Sequence, residues 1–103
     1  MTIFRDYLDR EVRLTDERLA HIREHPEMVG LDQAMADTLR QPTFVIQSLF
    51  DQAATLHYRF YLGTRVGDKW LCVVVKHMAL DAFVLTAYLT DKPKKGLQLW
   101  PKP

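Results

Sequence analysis

The chain has 103 residues, 48% of them hydrophobic and 26% charged, with a formal net charge of +1. That size fits one domain around one core, and a single cysteine, Cys72, excludes an internal disulfide and fits a reducing, cytoplasmic setting. The apolar run Leu71–Val75 is far short of the ~20 residues a membrane-crossing helix needs, and the near-neutral charge excludes nucleic-acid binding by a global field, so any RNA contact needs a local patch.

The N-terminal stretch MTIFRDYLDREVR is charged every few residues and holds no apolar core of signal-peptide length. Residues 10–14 alternate weakly, as a short edge strand does. Thr15 then stands at an N-cap position, and Asp16 and Glu17 suit the positive end of a helix. The helix is predicted from Asp16 to about Glu24, because Pro26 disfavours helical geometry at His25. Leu31, Ala34, Met35, Thr38 and Leu39 recur at helical spacing and predict a second helix, closed by Pro42.

The remainder reads as strands. Thr43–Phe50 is rich in β-branched and aromatic residues. In His57–Leu62, Tyr58, Phe60 and Leu62 alternate with His57, Arg59 and Tyr61. Residues 63–68 carry two glycines and suit a hairpin connection. Lys69–Lys76 is apolar on both faces in its middle, hence central, and Ala82–Thr90 alternates again, with Val84, Thr86, Tyr88 and Thr90 on one side. The predicted fold is α+β: one domain over 1–103 with its core in about 12–100. Two N-terminal helices cover one face of a four-stranded antiparallel sheet with a short edge strand, and the other face is left open.

Two constellations carry candidate chemistry. His21-Ile22-Arg23-Glu24-His25 matches the H-x-x-E-H zinc-protease pattern. Pro26 ends the helix where His25 must lie, however, and no third ligand stands out. These histidines read better as surface groups or as acid–base and phosphate-binding groups, without a metal. The second set, Arg59 flanked by His57 and Tyr61, with Lys76, Thr86 and Tyr88, is expected on the open sheet face. Strand faces exposed to water commonly carry such residues. Together the two sets supply the groups that RNA strand cleavage uses: a base for the 2′-hydroxyl, cations for the phosphorane and an acid for the leaving oxygen. RNA brings its own nucleophile, so no cofactor is required.

The segments Leu14–Ile22 (LTDERLAHI), His25–Met28 (HPEM), Leu85–Tyr88 (LTAY) and Lys95-Gly96 before Trp100, in that order, resemble one family over roughly residues 12–100. It is the phage-associated branch of the barnase–EndoU–colicin–RelE-like nucleases. The resemblance implies a metal-independent ribonuclease, toxin-like or phage-associated, with RNA as partner and an acidic antitoxin or immunity protein as antidote. It implies His21 as general acid or base with His25 assisting, Arg59 and Lys76 on the phosphate, and Thr86 and Tyr88 positioning phosphate and base; the strand alternation, not the resemblance, adds His57 and Tyr61 beside Arg59 as substrate contacts. The alternative is a non-catalytic module that holds protein or RNA on the open sheet face.

Overall fold

The computed structural model describes residues 1–102. Thr2–Arg5 (β1) and Glu11–Leu14 (β2) form an antiparallel hairpin. Asp6 builds its turn: one carboxylate oxygen accepts the N–H groups of Leu8 and Arg10, each at 2.9 Å, and the other accepts Arg10 Nε at 2.9 Å. Asp9 takes the left-handed conformation, φ 61°, which a short polar side chain tolerates.

Helix α1 (Asp16–Arg23) starts as its sequence predicts, with Thr15 Oγ1 accepting the N–H of Arg18 at 3.1 Å. A 3-10 turn, Pro26–Met28, leads to α2 (Asp32–Arg40), whose Met35, Thr38 and Leu39 are buried. Four strands follow: β3 (Phe44–Gln47), β4 (Ala54–Thr64), β5 (Gly67–Met78) and β6 (Asp81–Thr90), then β7 (Leu97–Trp100).

All seven strands form one sheet in the order β1-β2-β6-β5-β4-β3-β7. This corrects the expectation of a four-stranded antiparallel sheet with one edge strand. The sheet is mixed, because β2 pairs with β6 in parallel, Arg13 opposite Phe83. The two unforeseen strands, β1 and β7, are four residues long and mostly solvent-exposed, so they carry almost none of the apolar alternation that marks a half-buried strand. Short edges of this kind are typical of natural sheets.

The main core lies between the helices and one sheet face, where Ile22, Met28, Met35 and Leu39 pack on Leu71, Val73, Val75, Val84 and Ala87. The opposite face has a smaller cluster, with Leu56, Tyr58, Cys72 and Val74 at its centre. No helix covers it. Segment 91–96 crosses it instead, carrying the chain from β6 to β7, and Lys94 N–H donates to the Tyr58 hydroxyl at 3.0 Å. Four strand spacings amount to about 19 Å, and the seven steps from Thr90 to Leu97 reach about 23 Å when extended. The crossing must therefore run nearly straight. Gly96 lets it pass close to Gln47, whose carbonyl oxygen a Cβ at this position would overlap.

A bulge between Val74 and Val75 alters the predicted alternation of β6. Leu85 is the extra residue. Val84 and Ala87 therefore both face the helices, while Leu85, Thr86 and Tyr88 face the other way. No helix among the described residues is long and apolar enough to cross a membrane.

Candidate active site

The sheet divides the predicted site residues into two groups. His57, Arg59 and Tyr61 alternate together on β4, as read from the sequence, but they face the helix layer and not the open face. Tyr61 packs in the helix-side core, its hydroxyl donating to Ala34 O at 3.0 Å and lying 3.3 Å from Thr38 Oγ1. Arg59 donates to the Gln41 carbonyl at 3.2 Å, just beyond α2. Both hold α2 to the sheet. His57 is wholly buried.

Thr86 and Tyr88 lie on the opposite face, with Lys94 and Lys95 nearby in one groove. Lys76 ion-pairs with Asp51, a residue of the same groove, and its hydrogen bond holds that carboxyl below the usual range. The Tyr88 hydroxyl is buried without a hydrogen-bond partner, and burial drives its pKa upward, a poor setting for a general acid. His21 and His25 stand on the helix side, exposed, 3.3 Å from Glu24 and 3.7 Å from Glu27 respectively. His25 has extended backbone outside α1, so the H-x-x-E-H spacing does not place two histidines on one helical face. The expected convergence of His21 and Tyr88 does not occur: the sheet lies between them, because α1 packs its Ile22 on the face that Tyr88 points away from.

The structure assembles a different set of groups at the end of the sheet beyond α2. Thr55 and His57 are two apart on β4, so both face the same side. Val75 and His77 do the same on β5, with Thr55 opposite Val75. Thr55 Oγ1 lies 2.9 Å from His57 Nε2 and 2.9 Å from His77 Nε2. Thr55 and His57 are buried and His77 is half-buried. The His57 ring meets the Tyr7 ring edge-on at 5.8 Å, and Tyr7 in turn lies 5.6 Å from Trp100.

This chain of imidazole, hydroxyl and imidazole opens into a cleft of about 750 Å³, lined by Tyr7, Arg10, Thr55, His77 and Lys102. Two carboxylates also line it, but each is matched by an arginine: Arg5 with Glu11 at 3.4 Å, and Arg13 with Asp81 at 2.6 Å. The Arg13 hydrogen bond holds the Asp81 carboxyl below its usual range. Arg10 spends only Nε on Asp6, which leaves its terminal nitrogens for the cleft.

Burial dominates the titration of both histidines. It pushes His57 down to about 3, against the opposing pull of the Asp6 carboxylate, and it lowers His77 as well. Burial likewise raises Tyr7. At neutral pH His57 is therefore a neutral imidazole with one ring proton. The Thr55 hydroxyl has one proton to give and two lone pairs, so it can accept from both imidazoles, or accept from one and donate to the other. If His77 gains a proton it can only donate through Nε2; where Thr55 passes its own proton on to His57, His57 Nε2 is bare and its proton sits on Nδ1. That nitrogen is buried with no hydrogen-bond partner.

Sequence reading named His57 but missed Tyr7, Arg10, Thr55 and His77 as a group. The available signal was the Thr55-x-His57 spacing on one strand and the Val73-x-Val75-x-His77 spacing on its neighbour. No family model, curated protein or solved structure matches this chain.

Proposed function

We propose that this chain is a metal-independent endoribonuclease, toxin-like or phage-associated, whose acid–base centre is His77 in the Tyr7–Arg10 cleft, and not the histidines of α1. The family resemblance in sequence motivates the reaction. The observation that carries the site is the continuous His57–Thr55–His77 hydrogen-bond chain ending in a cleft with an arginine.

RNA cleavage through its 2′-hydroxyl fits these groups. His77 accepts the 2′-hydroxyl proton, and the 2′-oxygen forms a bond to phosphorus. The phosphorane's negative charge is stabilised by the Arg10 guanidinium and by Lys102. The bond from phosphorus to the 5′-oxygen then breaks, and His77 returns its proton to that oxygen. The products are a 2′,3′-cyclic phosphate and a 5′-hydroxyl. Throughout, His77 donates through Nε2 to Thr55 and Thr55 donates to His57, so the chain keeps one direction and need not reorganise during the reaction. Keeping His57 neutral preserves it as the acceptor. Thr55 and His57 are positioning residues in this scheme.

The test is incubation of the purified protein with total RNA in EDTA. Cleavage that leaves cyclic phosphate ends, and is lost in His77→Ala, supports the reading. Intact RNA overturns it. In a cytoplasmic toxin, overexpression arrests growth and an acidic partner relieves it by matching charge.

The competing reading is a non-catalytic module that holds protein or RNA on the face without helices. It is favoured by the exposure of Leu49 and Phe50 at the edge of the groove there. It predicts free expression and uncut RNA.

A further inference from the structure

The face that no helix covers carries a groove of about 450 Å³, within the range of small-molecule sites. Its floor is apolar, made by Leu56, Val74 and Leu85, and the exposed Leu49 and Phe50 stand at its edge. The strap that crosses from β6 to β7 supplies Lys94 and Lys95. The groove and the His77 cleft share no lining residue.

The charges of this groove are unequal. Asp51 is its only carboxylate, and that charge is cancelled by Lys76. Among the described residues, no carboxylate lies within ion-pair distance of Lys94 or Lys95. The Lys94 ammonium lies 5.8 Å from the centre of the Tyr88 ring instead, a contact that holds it over the groove. An apolar floor, a neutralised acid and two ammonium groups without a carboxylate partner at one end define the complementary ligand.

We propose that this groove binds a small amphipathic anion, an alkyl or aryl carboxylate, with its apolar body on Leu56, Val74 and Leu85 and its head group at Lys94 and Lys95. The Lys76–Asp51 pair sets the polarity: it removes the negative charge that would repel the head group. The strap is held at Lys94 itself, whose N–H donates to the Tyr58 hydroxyl, and it passes close to Gln47 at Gly96 just after the two lysines, so they are presented by a restrained segment, which lowers the entropic cost of binding.

The test is titration of the isotopically labelled chain with sodium decanoate, kept below its micelle concentration, and followed by amide chemical shifts. Saturable shifts centred on Leu56, Val74, Leu85 and Thr86 are expected. The double variant Lys94→Glu/Lys95→Glu should weaken the apparent affinity at least tenfold while keeping the wild-type amide pattern elsewhere. Leu85→Gln should weaken it without changing the charge. Absence of saturable shifts in the groove, or equal affinity in the double variant, overturns the proposal. So does a result in which oligo(U) saturates these amides and decanoate does not.

Discussion

Thr55 Oγ1 and His57 Nε2 lie 2.9 Å apart on one strand, both buried. The burial of His57 makes the fold sensitive to acid. His57 titrates at about 3 in the folded chain and near 6.5 when unfolded. Between these values the unfolded chain binds the extra proton, so stability is fully present above pH 6.5 and falls as the pH drops towards 3. The slope approaches 1.4 kcal/mol per pH unit. Urea unfolding at pH 7 and pH 5 should show this loss. In His57→Leu the pH dependence should flatten by about one proton.

Tyr61 illustrates a residue whose exposure was misjudged from its chemistry. Its hydroxyl holds the Ala34 carbonyl at 3.0 Å, within the body of α2. Tyr61→Phe should cost about 1 kcal/mol of stability, the usual worth of such a bond, measured by chemical denaturation. RNA cleavage by the folded variant should be unchanged, in contrast to what a substrate-binding role would give.

Gly96 carries the tightest steric demand in the strap. A methyl group there meets the Gln47 carbonyl oxygen and Ile46 Cδ1, and backbone cannot yield as a flexible side chain can. Gly96→Ala should displace β7 from β3. Hydrogen exchange should accelerate at Leu97–Trp100 while the amides of β5 stay protected.

Met35 is fully buried in the helix-side core. Met35→Ala should cost about 2–5 kcal/mol through lost contact and the cavity left behind, read as a lower denaturant midpoint.

The elements with strong local signals were legible in the sequence. Thr15 with Asp16 and Glu17 marked the start of α1, and the spacing of Met35, Thr38 and Leu39 marked α2. The apolar run in β5 marked its central place. What stayed hidden was long-range. β1 and β7 are four-residue edges whose pairing is fixed by partners far away in the chain. The bulge at Leu85 changes which side of β6 faces the helices, and no local pattern announces it. The alternation of His57, Arg59 and Tyr61 was read correctly, but periodicity cannot say which side the helices cover. For that reason His57, Arg59 and Tyr61 were assigned to the wrong face; Tyr88 does lie on the face without helices, but His21 stands across the sheet from it. The His57–Thr55–His77 chain joins residues 22 positions apart and needs the β4–β5 register to appear.

The most direct measurement compares cleavage of total RNA in EDTA by wild type, His77→Ala, His21→Ala and Tyr88→Phe, with each fold verified by amide spectra. General acid–base groups are worth about 10²–10⁴ in rate. The account predicts at least a hundredfold loss in His77→Ala alone, with cyclic phosphate ends left by the other three proteins. A His77→Ala protein that cuts as fast as wild type, or a wild type that leaves RNA whole, would contradict it.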